Sequence, residues 1–453
     1  MPIYQLYDEE LWKDFNFTEK YPSGKEIRKY FQYVTEKWDM KKDIVFDKCV
    51  DGAVFDESKN KWLIETTDGE YIYAKWFIPC IGFAAKRYTP PIKNLGDFKG
   101  DVYHTAVWPQ HGINLKDKRI AQIGTGATGI QFCQEVAPKS KHYDLYIRTP
   151  NLCLPMRQGK LDVEEQEKRK ADGRYQKDME RIPTTTCGFL FDYSSKNTYD
   201  DTKEDREKFW EELWADGGFA PWLATYKDMY TNAEANEEMY QWWRKKVLQR
   251  IPDPKKAEIL APEKKPHPFG TKRPSLEQRF YEVVSEEHVD IHDLNKTPIL
   301  EVTEKGFKTS EGVQEVDVII LATGFDSVTG GLAHMNVQGT DGRTIGEHWA
   351  DGLKTSMGIA IPRFPNMFFL YGPQAPTAFS NGPSTVHVQA EWVAKAIQRC
   401  TDEGIEVLDA TPEQEAAWTE ALREKWYNSL FPLAKSWYQG SNIPGRKVEP
   451  LNW

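Results

Sequence analysis

The chain has 453 residues, of which 40% are hydrophobic and 28% charged, and its formal net charge is −10. This length exceeds one hydrophobic core and predicts two or three domains. The acidic balance disfavours non-specific nucleic-acid binding, and no apolar run approaches the roughly 18 residues that span a bilayer.

The cysteines and the start of the chain indicate a cytoplasmic protein. The first residues lack the basic and apolar regions of a signal peptide. Six cysteines are widely scattered without a Cys-x-x-Cys pair. This argues against a disulfide scaffold, a zinc site and a dithiol reductase.

Residues 1–95 are predicted to form helices followed by a small antiparallel meander. Apolar residues recur at helical spacing in 9–12 and 27–34. Glycine and aspartate turns then separate short segments rich in β-forming residues. The predicted strands are 43–46, 53–55, 61–66 and 71–78.

A glycine fingerprint dominates the next part of the chain. The run Gly124-Thr125-Gly126-Ala127-Thr128-Gly129 stands between a predicted strand, 118–123, and a predicted helix, 130–136. In this context the first glycine makes a tight turn and the second lets the backbone approach a pyrophosphate. The third allows close packing of helix and strand, and the helix N-terminus faces the anion. The pattern predicts a dinucleotide site.

The residue that follows the second strand of such a unit selects the cofactor. An acidic residue there accepts hydrogen bonds from the ribose of NAD. Here Asp144 starts the predicted strand and Arg148 ends it. A guanidinium suits a 2′-phosphate through charge-assisted bonds. The sequence therefore favours NADPH over NADH.

The rest of the chain alternates helical and strand patterns. Residues 157–250 are highly charged and have a helical pattern, which indicates a helical insertion in the Rossmann domain. The predicted strand 315–322 ends at Thr323-Gly324, where α/β sheets bind ligands. A further strand is predicted at 366–371, and helices are predicted at 384–397 and 412–426.

A longer pattern surrounds the fingerprint and resembles the type I Baeyer–Villiger monooxygenases. Phe98, Gly100, His104, Trp108 and Pro109 stand in that family's spacing just before the glycines. The resemblance covers nearly the whole chain in the right order. It continues through Arg148-Thr149-Pro150, Lys272-Arg273-Pro274, Ala322-Thr323-Gly324-Phe325-Asp326, Gly372-Pro373-Gln374, Asn381-Gly382-Pro383 and Ser436-Trp437.

This resemblance implies an α/β flavoprotein with two dinucleotide-binding domains. The FAD domain would be incomplete and built from residues 1–95 and 331–453. Residues 96–330 would form a Rossmann NADPH domain with the helical insertion at about 157–250. The implied reaction uses FAD, NADPH and O₂ to insert one oxygen atom beside a ketone carbonyl, giving an ester or lactone. The partners would be a small ketone and O₂, with no indication of oligomeric state.

The resemblance also implies roles for individual residues. Arg273 would be the catalytic arginine that stabilises negative charge developing on the carbonyl oxygen. Lys272 and Trp437 would hold the nicotinamide cofactor, with Arg148 and Thr149 at its 2′-phosphate. The stretch Ala322–Asp326 would contribute to cofactor binding. His104 would be a linker residue rather than an acid–base catalyst.

The chain departs from the family pattern at its two ends. The family carries two glycine fingerprints and this sequence has one, so we expect truncation at the N-terminus and at the C-terminus. The aspartate that partners the arginine is also expected in the missing segment. These departures predict weak FAD binding. Two alternatives stay open: a non-catalytic NADP-binding remnant, and a flavin monooxygenase that hydroxylates nitrogen or sulfur.

Overall fold

The computed structural model describes residues 2–452 and combines short strands with helices of very different length. The strands are β1 (Val50–Asp56), β2 (Lys61–Thr66), β3 (Tyr71–Ala74), β4 (Asp101–His104), β5 (Arg119–Ile123), β6 (His142–Ile147), β7 (Leu154–Pro155), β8 (Leu276–Glu277), β9 (Val289–Asp293), β10 (Glu301–Thr303), β11 (Gly306–Thr309), β12 (Gly312–Glu315), β13 (Val318–Leu321) and β14 (Asn336–Gln338). The helices are α1 (Glu9–Trp12), α2 (Gly24–Lys37), α3 (Ala127–Val136), α4 (Val163–Ala171), α5 (Arg174–Arg181), α6 (Lys203–Asp216), α7 (Ala220–Leu223), α8 (Ala233–Leu248), α9 (Pro254–Leu260), α10 (Phe280–Val283), α11 (Gly330–His334), α12 (Ile345–His348), α13 (Gly382–Asp402) and α14 (Pro412–Tyr427).

A five-stranded parallel sheet with the order β4-β13-β5-β6-β9 is the centre of the fold. Its inner strands are apolar because both faces are covered. One face packs on the core that contains α3 and the helices after β6, and the other packs on the small sheet β10-β11-β12. The predicted order of strand, glycine turn and helix is confirmed, since β5 runs through residues 124–126 into α3.

The helical block lies between two neighbouring strands of this sheet. Helices α4 to α10 all belong to the connection from β6 to β9. Its large rings are core residues, as Trp210, Trp222 and Trp243 are at most 1% exposed. Most of the charged residues that made this block conspicuous in the sequence are exposed on its helices.

The predicted meander is confirmed as β1-β2-β3, and β14 joins it in parallel beside β1. The strand predicted at 43–46 is wrong. Residue Asp43 ends a 3₁₀ turn and Asp47 has a φ of 57°. Val45 and Phe46 are 72% and 63% exposed, so this β-rich segment has no neighbouring strand to pair with.

The strand predicted at 366–371 is also wrong. It pairs only through an isolated parallel bridge between Phe77 and Met367. Asn366 and Tyr371, the first and last residues of the segment, have φ values of 55° and 54°. A left-handed backbone at both ends is incompatible with an extended strand.

A hydrogen-bonded junction links the segment after the meander to the end of β13. Tyr88 N–H donates to the Gly324 carbonyl over 2.9 Å. The His104 Nδ1 accepts from the Ala106 N–H at 3.1 Å, so its Nε2 carries the proton and donates to the Tyr88 carbonyl at 3.0 Å. Thr323 Oγ1 donates to the same carbonyl at 2.7 Å. His104 thus acts as a structural hydrogen-bonding residue here.

Two further features concern the chain as a whole. Within residues 2–452, no helix has the length and apolar character needed to cross a membrane. All six cysteines are free.

Candidate functional site

The fingerprint loop is shaped by contacts that exclude a side chain at two of its three glycines. Gly124 has a φ of +105°, and a Cβ there would lie 2.5 Å from the Ala322 carbonyl oxygen. A Cβ on Gly129 would lie 2.3 Å from the Gly124 carbonyl oxygen. At Gly126, the N-cap of α3, an added Cβ would meet nothing within 4 Å. The outer glycines serve packing, and the middle one faces open space.

The rest of the loop presents the N-terminus of α3 to that open space. Gly126, Ala127 and Thr128 are exposed. Thr125 is buried, and its Oγ1 donates to the Thr149 carbonyl at 3.1 Å. The unpaired N–H groups of a helix start attract anions, so this surface can hold a pyrophosphate.

Two cations stand beside the loop. Arg148 follows β6 directly and is exposed. Lys272 comes from a segment far along the chain, and burial together with the Arg148 guanidinium lowers its pKa to about 8. Among residues 2–452, neither side chain has an ion-pair partner. Two neighbouring cations without an acidic partner in the described chain form a candidate site for an anion.

His267 belongs to the same corner and was not found from the sequence. It is 4% exposed, and its Nδ1 donates to the Pro268 carbonyl over 2.9 Å. Burial and the nearby Lys272 lower the pKa of His267 to about 4, so the ring is neutral. Its Nε2 is buried without a hydrogen-bond partner in the described chain. The only signal in the sequence was its place shortly before Lys272.

Arg273 points into a different space from its neighbour Lys272. It lines a cavity of about 180 Å³ whose walls are largely aromatic. Its Nη1 donates to the Ala378 carbonyl at 2.7 Å. The guanidinium carbon lies 4.9 Å from the centre of the Phe219 ring and 5.7 Å from that of Trp222. The other large side chains of the wall are Tyr4, Tyr21, Phe189, Phe191 and Tyr371.

This cavity draws its walls from three distant parts of the chain. They are the N-terminal segment, the helical insertion and the loop before α13. No carboxylate of residues 2–452 forms an ion pair with Arg273. One edge of the guanidinium is held by a carbonyl and its face by rings, which leaves donors for an incoming oxygen atom.

Trp437 packs between two other aromatic rings. Its ring stacks on Phe83 at 5.6 Å and contacts the Tyr438 ring at 4.6 Å. Tyr438 is fully buried, its hydroxyl has no partner among the described residues, and burial raises its pKa. The positive charge of Arg273 acts in the opposite direction and lowers the pKa of this hydroxyl. Tyr371 lines the cavity and Tyr438 lies within the electrostatic influence of Arg273, and the sequence analysis named neither of them.

The stretch Ala322–Asp326 joins the sheet to the C-terminal segment. Ala322 packs against Gly124, and the Phe325 carbonyl accepts from Asn442 Nδ2 at 2.9 Å. The Asp326 carboxylate is held by Arg446 at 2.5 Å. Because the Asp326 carboxylate is paired with Arg446, it holds the C-terminal segment against the end of the sheet.

Two glycines outside the fingerprint combine a left-handed backbone with open space around them. Gly82 and Gly324 have φ values of +69° and +76°, with open space beyond each. The fingerprint between β5 and α3 is the one strand–glycine–helix fingerprint in the described part of the chain.

Comparison with known proteins decides the family. No family model matches the sequence. It is 44% identical over 451 residues to the cyclopentanone 1,2-monooxygenase of Comamonas sp. (strain NCIMB 9872), covering 100% of this chain and 82% of that protein. It is 33% identical to the cyclohexanone 1,2-monooxygenase of an Acinetobacter species, covering 97% and 80%. The chain belongs to the Baeyer–Villiger monooxygenases.

Solved structures give the same result for the fold. A closed crystal structure of cyclohexanone monooxygenase superposes with a TM-score of 0.94 at 32% identity, covering 99% of this chain and 84% of that one. An oxidised steroid monooxygenase bound to NADP superposes with a TM-score of 0.91 at 33% identity, covering 98% and 84%. The fold is that of a flavoprotein with two dinucleotide-binding domains, and FAD and NADP are the cofactors of this family.

Gly129 is closely packed and Gly126 faces open space. An alanine at Gly129 should therefore affect stability, and an alanine at Gly126 should affect NADPH binding. Gly129→Ala should lower the thermal unfolding midpoint by about 1–3 °C, because overpacking against backbone costs about 1–3 kcal/mol. Gly126→Ala should leave the midpoint nearly unchanged, since its φ of −68° suits alanine, while KM for NADPH rises. Equal unfolding midpoints for the two variants would contradict this assignment.

The lowered pKa of Lys272 predicts a pH-dependent affinity for NADP⁺. The free enzyme loses the Lys272 charge as pH rises through about 8, and a bound phosphate favours the charged form. Affinity should fall roughly tenfold between pH 7 and pH 10. In Lys272→Arg the affinity should stay level, because arginine remains charged. Titration calorimetry across this range measures both, and a fall of the same size in the arginine variant would exclude Lys272 as its cause.

Proposed function

We propose that this chain oxidises a small ketone to an ester or lactone, with NADPH as reductant and O₂ as the oxygen source. The observation that carries the proposal is Arg273, which has no acidic partner in the described chain and faces an aromatic cavity. The residue before it in the sequence, Lys272, belongs to the anion site. Of two consecutive residues, Lys272 would therefore bind NADPH and Arg273 would bind the ketone.

NADPH would bind to the fingerprint loop and to the two cations beside it. The pyrophosphate would lie at the open N-terminus of α3, over Gly126. Arg148 and Lys272 would hold the 2′-phosphate through charge-assisted bonds. NADH lacks this phosphate, so the two cations would discriminate between the cofactors.

The ketone would bind in the aromatic cavity that Arg273 lines. Its volume of about 180 Å³ is below the roughly 300–1,000 Å³ typical of pockets for drug-sized ligands, which favours a small ketone over a polycyclic one. Its rings would exclude water and hold the hydrocarbon part. The free donors of Arg273 would bind the carbonyl oxygen and stabilise the negative charge that develops on it.

FAD supplies the oxidation–reduction chemistry when bound. On this chain Gly82, Gly324 and the segment around Trp437 would lie along its ring system. The domains would divide accordingly. Residues 1–95 and 331–453 would form the flavin side, and residues 96–330, with the insertion at about 157–250, the NADPH side. The six free cysteines suit the cytoplasm.

The alternative is a non-catalytic NADP-binding protein. Both candidates bind NADP⁺, so only product formation separates them. Ketones of increasing ring size should be incubated with NADPH, O₂ and added FAD, and esters and lactones measured by gas chromatography. NADPH binding without product on any ketone would support the non-catalytic candidate.

Arg273→Ala should lower product formation about 100-fold or more, because removing one donor to an oxyanion costs about this much. The Kd for NADP⁺ should stay within a factor of two or so, since the side chain faces the cavity. The matched control is Arg399→Ala, which removes a surface arginine paired with Glu403 on α13. Full activity in Arg273→Ala would remove this residue from the reaction.

Arg148→Ala should raise KM for NADPH roughly tenfold or more, through loss of charged hydrogen bonds to the 2′-phosphate. KM for NADH should not change, because NADH lacks that phosphate. Steady-state NADPH and NADH oxidation measure both values, again with Arg399→Ala as control. If the wild type uses NADH as well as NADPH, the assignment of Arg148 is wrong.

A further inference from the structure

A cluster of two histidines and two aspartates lies on one face of the parallel sheet, away from the cofactor site. His142 and Asp144 are alternate residues of β6, and Asp290 and His292 are alternate residues of β9. The strands are parallel neighbours with Asp144 opposite Asp290. Alternate residues of a strand share a face, so all four side chains point toward the small sheet β10-β11-β12.

The carboxylate of Asp144 is the buried centre of this cluster. The residue is 0% exposed. Its Oδ1 accepts from His292 Nε2 at 2.7 Å and its Oδ2 accepts from Gln314 Nε2 at 3.1 Å. Its ion-pair partners in the described chain are His142 and His292. Burying a carboxylate in an apolar setting requires a compensating positive charge, and here no lysine or arginine of residues 2–452 supplies it.

Two of the three separations between the candidate ligand atoms are close to those around a tetrahedral metal ion. His142 Nε2 lies 3.5 Å from Asp144 Oδ1 and 3.3 Å from Asp290 Oδ2. One atom from each of these three side chains lies within 4.8 Å of the others. Ligands of a tetrahedral zinc ion at bond lengths near 2.1 Å are about 3.4 Å apart. The two separations involving His142 are too long for good hydrogen bonds and right for a shared ion.

We propose that His142, Asp144 and Asp290 form a zinc site at the edge of the sheet. Imidazole nitrogen and carboxylate oxygen are ligands that zinc accepts, and three protein ligands leave a position for water. His292 and Gln314 donate to the Asp144 carboxylate and fix its orientation, as partners of metal-binding carboxylates do. The cysteine count had argued against zinc, but this site uses no cysteine.

The place of the site in the fold defines its role. β9 is an edge strand that pairs only with β6, and the proposed ion joins the two strands. Asp144 is four residues before Arg148, about 13 Å along an extended strand. The ion therefore stabilises the outer edge of the sheet and takes no part in binding NADPH. The proposal is independent of the proposed function.

The test measures zinc per chain in the purified full-length protein. The protein is treated with EDTA, loaded with zinc sulfate, passed through a desalting column and analysed by mass spectrometry of the metal. The wild type should retain one zinc ion per chain, and His142→Ala and Asp290→Asn should lose it. His387→Ala is the matched control, because its imidazole pairs with Glu391 on α13, outside the cluster. It should retain the ion.

Thermal unfolding gives a second measurement on the same proteins. Zinc should raise the unfolding midpoint of the wild type and of His387→Ala by several degrees, since a ligand of the folded state stabilises it. It should not do so in the two cluster variants. Asp290 has a side chain that is 58% exposed, so Asp290→Asn keeps the test valid if His142→Ala does not fold. Equal zinc content in the wild type and either cluster variant overturns the proposal, because the cluster then does not hold the ion.

Discussion

The close contact between the Gly124 turn and the Ala322 carbonyl is the constraint on which the site depends. β5 and β13 are parallel neighbours, and their carboxyl ends lie side by side. The turn after β5 passes over the end of β13 only because residue 124 has no Cβ and has a φ of +105°. This arrangement brings the fingerprint loop and the stretch Ala322–Asp326 to one edge of the sheet. The same stretch also binds the segment after β3, because the Tyr88 N–H donates to the Gly324 carbonyl, so this segment and the fingerprint loop meet at one strand end.

The candidate site contains cations that have no ion-pair partner in the described chain. Arg250, a structural arginine, pairs with Glu277 and Glu282. Lys272 and Arg273 have no acidic partner among residues 2–452. A partly buried cation that lacks a carboxylate carries a desolvation penalty that a bound anion or oxyanion relieves. The two residues face different spaces, because Lys272 lies near Arg148 and Arg273 lines the aromatic cavity.

The sequence predictions failed where a β-rich segment had no partner strand. Residues 43–46 have the composition of a strand, but Val45 and Phe46 are exposed. Residues 366–371 are apolar, yet left-handed residues at both ends of this segment leave one parallel bridge. β-propensity describes how well a side chain fits a half-buried pleated surface. It does not specify whether a neighbouring strand is available, which depends on distant parts of the chain.

The sequence by itself determined the strand, glycine turn and helix around Gly124, the position of Arg148 at a strand end, and the family through Phe98–Pro109. These features depend on stereochemistry within a few residues, where a glycine turn or a strand end has a local signature. Only the tertiary structure placed Lys272 beside Arg148, enclosed Arg273 in rings from three segments, and set His142 and Asp144 opposite Asp290. Those contacts join residues far apart in the chain. Their distances are set by how sheets and helices pack, which no local pattern encodes.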